Sequence, residues 1–276
     1  MHLIFGDDSQ QLKPSRAGVG PLVAIGGVHV PDVAAPRLEA EIERLCNDAD
    51  FPSGEEFKWS PRPGMWMRDN LPREAFFNTV LTAACRYGAT ATVVVADARC
   101  RHAINTSTTF QHDVATMFLE RVELALRTAG TTGVVVIDRP GGNRRTEKRF
   151  LAACAMTITT GTPFVLPQRI TSVETVSSPH ARAHPRLLQL ADVVTGSTLA
   201  RVAGEARYAP PVFAFVRPLL RTDGRRIGGV GLKLHPDLWY ANLYYWLAGD
   251  TTWWKGNSGW GLPYRGLRYF KSPDVL

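Results

Sequence analysis

The chain has 276 residues, of which 45% are hydrophobic and 21% charged, and its formal net charge is +7. This composition is typical of one large globular domain, or of one domain with an extension. The excess of basic residues favours a polyanionic partner over an acidic protein surface. The four cysteines lack CxxC spacing, which argues against a zinc site and against a disulfide framework. The first apolar run is too short for a signal peptide, and no run approaches the ~20 residues of a membrane span. We therefore expect a cytoplasmic protein without a membrane span.

The first half of the chain opens with two apolar strands, and Pro and Gly punctuate the loop that follows the first helix. The predicted order is strand 2–6, strand 22–30, helix 35–46, loop 50–70, helix 72–88 and strand 90–97. Gly26 and Gly27 interrupt the second strand and are compatible with a bulge.

The second half alternates helices with strands. The predicted order is helix 109–130, strand 132–138, helix 144–157, short strand 162–167 and helix 184–205. Strand 132–138 is apolar until its last residue, which indicates a central parallel strand that is buried on both faces. The order of elements predicts an α/β fold, with a mixed sheet and helices on both faces.

The carboxyl-terminal part differs in composition. Residues 239–276 hold five of the seven Trp and five of the seven Tyr, with Gly between them. We therefore divide the chain into a domain over residues 1–205 and an aromatic-rich extension over 206–276. The aromatic side chains suit a cap packed on the core and also suit a platform on which bases stack.

Acidic residues stand where burial should exclude them. Asp7 and Asp8 end the first strand, Asp138 ends "VVVID", and Asp192 lies inside "LLQLADVVTG". A buried carboxylate loses hydration worth several kcal/mol unless a cation or an Arg compensates. Taken singly, each also fits a turn residue or a structural ion pair. Because side chains alternate along a strand, Asp7 is the stronger ligand candidate and Asp8 the weaker.

These residues resemble a family pattern of a strand ending in Asp-(Glu/Asp)-Ser, a loop with E-x-K, a later strand ending in Asp, and a helix with Q-L-A-D. The matching residues are Asp7-Asp8-Ser9, Glu56-Phe57-Lys58, Asp138 and Gln189-Leu190-Ala191-Asp192. The chain thus resembles the DUF3800 family, mostly bacterial and phage-associated proteins of the ribonuclease H-like superfamily. It departs from that pattern where Asp8 replaces the usual Glu and Gln10 the usual Gly. The match spans roughly residues 1–204 and leaves out the aromatic tail.

The resemblance implies a ribonuclease H-like sheet whose central strand carries Asp7, whose neighbouring strand carries Asp138, and whose final helix brings Asp192 to them. Asp7, Glu56, Asp138 and Asp192 are the implied catalytic residues, and the same four with Asp8 are the implied ligands. An all-oxygen ligand set suits Mg²⁺ or Mn²⁺. The expected substrate contacts are Lys58, Arg139, Arg144, Arg145 and Gln189.

The distribution of charge is compatible with such a site. Residues 139–226 carry 14 Lys+Arg against 5 Asp+Glu, a net charge of +9, whereas residues 1–138 carry 13 against 17, a net charge of −4. The basic residues are mostly Arg, which suits phosphate recognition and equally a GC-rich coding bias.

The main hypothesis is a metal-dependent nuclease or phosphotransferase that acts on nucleic acid. The alternative is a non-catalytic nucleic-acid or protein binding module of a mobile-element or defence system on the same fold. A two-carboxylate glycosidase also fits a Trp-rich chain, but three strand- or helix-borne acids and the positive charge argue against it.

Overall fold

The computed structural model describes residues 1–100, 110–139, 144–176, 183–224 and 226–270, without the side chains of residues 110, 111 and 144. The strands are β1 (His2–Gln11), β2 (Leu22–Pro31), β3 (Thr90–Asp97), β4 (Gly133–Asp138), β5 (Ile170–Val176), β6 (Leu232–His235), β7 (Thr252–Lys255) and β8 (Ser258–Gly261). The α-helices are α1 (Ala35–Asp48), α2 (Trp66–Asn70), α3 (Arg73–Arg86), α4 (Phe110–Thr128), α5 (Arg144–Thr160), α6 (Pro185–Ala203), α7 (Ala209–Val216) and α8 (Asp237–Leu243).

Six strands form one mixed sheet in the order β5-β4-β1-β2-β3-β6, and β7 pairs with β8 in a separate hairpin. Strand β2 runs antiparallel to both of its neighbours, β1 and β3. The pairs β1–β4, β4–β5 and β3–β6 are parallel. The predicted α/β fold with a mixed sheet is therefore confirmed.

Strand β1 is longer than predicted, and this changes the position of its acids. Its pairing with β2 continues to Gln11, which is opposite Leu22, whereas its pairing with β4 ends at Gly6 opposite Ile137. Asp7 and Asp8 therefore lie inside a strand that is paired on one side only. The prediction that they end the strand was wrong. Polar residues 8–11 stay in the strand because their backbone pairs with β2, and this pairing does not require their side chains to be buried.

The prediction of a short strand at 162–167 is also wrong. This stretch forms a loop, and β5 begins only at Ile170. Two prolines remove backbone donors that a ladder needs. The Thr162 hydroxyl instead accepts hydrogen bonds from the amides of Phe164 and Val165, at 3.2 and 3.1 Å. The predicted bulge at Gly26–Gly27 is absent as well, since β1 and β2 pair there in unbroken register.

The two faces of the sheet bury two separate cores. Phe5 of β1 belongs to the core shared with α1, α3, α6 and α7, whereas Ile4 belongs to the core shared with α4 and α5. Helix α6 is buried nearly all round because it lies between the sheet and the outer helices α1 and α7. Helices thus cover both faces, as predicted, and residues of β1 can be assigned to a face by parity.

Residues beyond 205 contribute to the same sheet. Strand β6 pairs with β3, and α7 packs against α6. The buried carboxylate of Asp97, at the end of β3, accepts hydrogen bonds from the amide of Gly20, the guanidinium of Arg99 and the hydroxyl of Tyr240. In the described parts of the chain no helix is both long and apolar enough to cross a bilayer. All four cysteines are free thiols.

Candidate functional site

Carboxylates from two neighbouring strands and one helix meet at one end of the sheet. Phe5 and Val136 contact the core on the α6 side, so Asp7 and Asp138, two residues further along their strands, point to the same face. The β1–β4 register, extended by one pair beyond Gly6–Ile137, places Asp7 level with Asp138. Helix α6 contributes Asp192 from that face.

Asp7 and Asp192 form a hydrogen-bonded pair. Asp7 is only 9% exposed, and its burial together with the charges of Asp192, Asp138 and Asp8 raises its pKa well above the usual range. Burial also raises the pKa of Asp192, but the amide of Trp59 opposes this shift by donating to Asp192 Oδ2 at 2.6 Å. Both pKa values are raised, so the two carboxyl groups favour a state in which they share a proton.

Asp8 has a different position from Asp7. It shares the parity of Ile4, so its side chain leaves β1 on the face covered by α4 and α5. Its pKa is raised by burial and by the charges of Asp138 and Asp192, so it contributes to the negative potential of the site. Its amide donates to Asp7 Oδ1 at 2.8 Å. Asp8 as the weaker ligand candidate stays a prediction.

The loop between α1 and α2 brings Glu56 and Lys58 to the cluster. Lys58 Nζ lies 3.9 Å from Glu56 Oε2, and its positive charge lowers the pKa of Asp192 against the effect of burial. Glu56 Oε1 is buried and has no hydrogen-bond partner. An unsatisfied buried carboxylate oxygen beside a cluster of acids is costly, and a cation or a water bound at the cluster would satisfy it.

Gln189 fixes this loop to α6. Its side-chain oxygen accepts from the Phe57 amide at 3.3 Å and from Arg186 Nη1 at 2.9 Å, and the residue is only 5% exposed. Arg186 Nη1 also donates to the carbonyl of Glu55 at 2.8 Å. The Gln189 side-chain oxygen therefore positions this loop, and the substrate contact of Gln189 stays a prediction.

The arginines that were predicted to contact the substrate, Arg139, Arg144 and Arg145, follow Asp138 in the chain. The Arg139 amide donates to Asp138 Oδ1 at 2.9 Å, and Arg139 Nε donates to Glu147 Oε1 at 3.0 Å. Arg145 is exposed at the start of α5. The side chain of Arg144 and residues 140–143 lie outside the described parts, so the predicted anion-binding loop at "GGNRR" stays a prediction.

Two glycines allow α6 to approach the strands closely enough to form the site. A Cβ on Gly26, which pairs with Asp7, would lie 2.5 Å from Thr195 Oγ1. A Cβ on Gly196 would lie 2.6 Å from the indole ring of Trp59. The sequence indicated a bulge at Gly26, whereas the structure shows a close helix–strand contact, which also explains why this strand contains glycine.

A cleft of about 920 Å³ begins at Trp59, beside the cluster, and is lined mainly by the first turns of α3. Trp59 lines its near end, so the residue whose amide holds Asp192 also lines the cleft with its side chain. Arg73 and Tyr208 lie further along, with the guanidinium 5.6 Å from the ring centroid. Sequence reasoning missed Trp59 and this cleft; the aromatic residue directly after "EEFK" was the one available signal.

The oxygen ligands that Mg²⁺ and Mn²⁺ prefer are present, but they are arranged as a proton-sharing pair. Among the residues that the structure describes, no group of three or more His, Cys, Asp and Glu side chains is arranged to hold a metal ion. The predicted ligand set of Asp7, Asp8, Glu56, Asp138 and Asp192 therefore stays a prediction. The donor chemistry and the unsatisfied Glu56 oxygen fit a divalent cation.

No protein-family model matches the chain, and comparison with the curated proteins gave no match. The resemblance to the DUF3800 family rests on the residues of this chain alone.

Proposed function

We propose that the chain is a divalent-metal-dependent nuclease with a ribonuclease H-like fold. The observation that carries the proposal is the convergence of Asp7, Asp138 and Asp192 from three distant segments onto one face at one end of the sheet. The central position of β1 and its parallel neighbour β4 agree with the arrangement that the family resemblance implies.

Asp7, Asp138 and Asp192 would hold the cation, with Asp8 and Glu56 as further oxygen donors beside them. A bound Mg²⁺ or Mn²⁺ would supply Lewis-acid activation of a water and neutralise charge that develops on a phosphodiester. Before the pair can serve as ligands, Asp7 must release the proton that it shares with Asp192. The Trp59 amide keeps Asp192 in place during this change, because it donates to the carboxylate in either state.

Lys58 would bind a phosphate of the substrate. Its ammonium group lies close enough to Asp192 to affect its pKa, and its contact with Glu56 is long and partly exposed. Exchange of that contact for a phosphate oxygen therefore costs little, since exposed ion pairs contribute at most about 1 kcal/mol. The +9 segment over residues 139–226 supports binding of the remaining backbone.

The test is cleavage of labelled single- and double-stranded DNA and RNA in Mg²⁺, Mn²⁺ and chelator. We expect metal-dependent cleavage by the parent and background cleavage by Asp7→Asn. Asp48→Asn, an exposed acid on α1, is the matched control and should keep full activity. If the parent binds nucleic acid but neither cleaves it nor responds to metal, the chain is the non-catalytic binding module instead.

Nucleic-acid binding can be tested separately from cleavage, by its dependence on salt. Phosphate contacts release counterions, so affinity for a mixed-sequence oligonucleotide should fall steeply as salt is raised. Affinity that does not change between low and physiological ionic strength would contradict the nucleic-acid partner.

A further inference from the structure

A second polar site lies at the opposite end of the sheet, where β1 begins. A pocket of about 230 Å³ is lined by three arginines, Arg121 of α4 with Arg221 and Arg226 from the segment before β6. The carboxylate that shares this lining, Asp223, is 71% exposed and accepts from Arg226 at 2.8 Å. The pocket therefore carries a net positive charge, and it is separate from the carboxylate cluster.

Arg221 is a partly buried cation without an anionic partner among the described residues. Its guanidinium has no charged or hydrogen-bonding partner among the described residues, and burial alone lowers its pKa. Its backbone is fixed, because its amide donates to the carbonyl of Ala91 at 3.0 Å. A partly buried cation without an anion is costly, since the lost hydration is not replaced.

Four polar side-chain atoms near Arg221 are buried without partners, one of them in the pocket lining and three outside it. They are Nδ1 of His2, Nε2 of His29, Oγ1 of Thr92 and Nε of Arg121. By strand parity His2, His29 and Thr92 all point to the face of α4. Burial and the nearby charge of Arg221 lower the pKa of His29 to about 3, so this imidazole is neutral. Buried polar groups are nearly always satisfied, so the unused Nε–H of Arg121, which lines the pocket with Arg221, is available to a bound ligand.

The chemistry of these groups selects the ligand. Arg121 donates from Nη1 to the carbonyl of Gly229 at 2.7 Å, which holds its side chain at the pocket while its Nε–H stays unused. Guanidinium groups from three positions offer many donors and no acceptors, and such a set matches an oxyanion with several acceptor oxygens. We propose that this pocket, the Arg221 pocket, binds a phosphate group, either as a small phosphorylated molecule or as the terminal phosphate of a nucleic acid.

The first experiment uses inorganic phosphate as the probe. Thermal melts and titration calorimetry compare phosphate with chloride at matched ionic strength and without divalent cations, for the parent, Arg221→Gln and Arg44→Gln. Arg44 is an exposed arginine of α1 with acidic partners, so its variant loses the same charge at a distant surface. We expect phosphate to raise the Tm of the parent and of Arg44→Gln. Arg221→Gln should bind phosphate about tenfold more weakly or worse, because it loses charge-assisted hydrogen bonds.

Without phosphate, we expect Arg221→Gln to have the opposite effect on the Tm. In chloride, Arg221→Gln should melt no lower than the parent, because it removes an uncompensated charge. Arg226→Gln should show an intermediate loss of phosphate binding. Equal responses of all variants, no response of the parent, or failure of Arg221→Gln to fold in chloride would overturn the proposal, leaving a water-filled pocket or a structural arginine.

Competition then identifies the source of the phosphate. A nucleoside monophosphate and an oligonucleotide with or without a 5′-phosphate compete with inorganic phosphate for the parent. Displacement by the monophosphate alone assigns a small ligand, and displacement by the 5′-phosphorylated strand but not by its unphosphorylated form assigns a nucleic-acid end. Asp7→Asn should keep the whole phosphate response, so this result is independent of the proposed nuclease activity.

Discussion

The carboxyl groups of Asp7 and Asp192 form a hydrogen-bonded pair, which joins the central strand β1 to helix α6. Asp138 and Asp8 add negative charge to the pair. A site built in this way is destabilising without a cation, because burial and repulsion both oppose ionisation. The stability of the protein should therefore report on the site even before an activity is known.

Replacement of Asp7 by Asn should stabilise the metal-free protein. The change removes a buried acid that must either stay protonated or ionise beside other acids, and it keeps the shape, so in chelator the free energy of unfolding should rise by roughly 0.5–2 kcal/mol. Mn²⁺ should stabilise the parent by mass action and stabilise Asp7→Asn much less. Thermal melts of both proteins, each in chelator and in Mn²⁺, test this. A mutant that is less stable in chelator, with equal Mn²⁺ shifts, would make Asp7 a structural hydrogen-bonding residue.

The stability of the metal-free parent should fall as pH rises. The pKa of Asp7 is higher in the folded than in the unfolded protein, so between those two values the folded state holds more protons. Stability is then lost as pH rises from the ordinary carboxyl range through the folded pKa. Urea titrations in chelator across this window should give a steeper decline for the parent than for Asp7→Asn. Parallel curves for the two proteins would exclude a raised pKa at Asp7.

Gly26→Ala should separate α6 from the strands. Its new Cβ would lie 2.5 Å from Thr195 Oγ1 and 3.0 Å from a Val93 methyl group, and overpacking of this kind costs roughly 1–3 kcal/mol. The control is Gly261→Ala in β8, where a Cβ meets nothing within 4 Å. That variant should change stability by less than about 0.5 kcal/mol. Chemical denaturation measures both, and equal effects would mean that the close contact does not determine helix position.

The two adjacent tryptophans of β7 should behave differently. Trp253 is 2% exposed and stacks on Trp260 with ring centroids 5.0 Å apart, so Trp253→Ala should destabilise the protein by roughly 3–5 kcal/mol. Trp254 is 51% exposed, and Trp254→Ala should leave the Tm nearly unchanged. If Trp254 stacks on a base, its loss should weaken oligonucleotide binding by about 1–3 kcal/mol, and unchanged binding would exclude that role.

Asp97 should be a structural residue whose ionised form stabilises the fold. Although burial opposes it, hydrogen bonds from Arg99, Tyr240 and Gly20 lower its pKa to about 2. The stabilisation is therefore complete above the ordinary carboxyl pKa and is lost as pH falls toward 2. Asp97→Asn should cost roughly 1–3 kcal/mol at neutral pH, because buried donors lose their acceptor. Denaturation curves at neutral and acid pH test this, with Asp48→Asn as the exposed control.

The sequence by itself determined the order of the main elements and the residues of the acidic cluster. Apolar runs and helical spacing are local signals, and they located the start of β1, the whole of β2 to β4 and the long helices within a few residues. Acids inside or at the end of apolar runs are costly wherever the chain folds, so Asp7, Asp138 and Asp192 were visible without a structure. The alternation of side chains also separated Asp7 from Asp8 correctly.

Only the tertiary structure decided how those residues are used. The full length of β1 depends on β2 as a pairing partner, and the role of Gln189 depends on a loop more than a hundred positions earlier in the chain. Trp253 and Trp254 are the same residue type in adjacent positions, yet one is buried and the other exposed. Neither the partial burial of Arg221 nor the lack of an acceptor for its guanidinium among the described residues is visible in its sequence context. Pairing, burial and unsatisfied hydrogen bonds arise between segments distant in sequence, and local patterns therefore do not encode them.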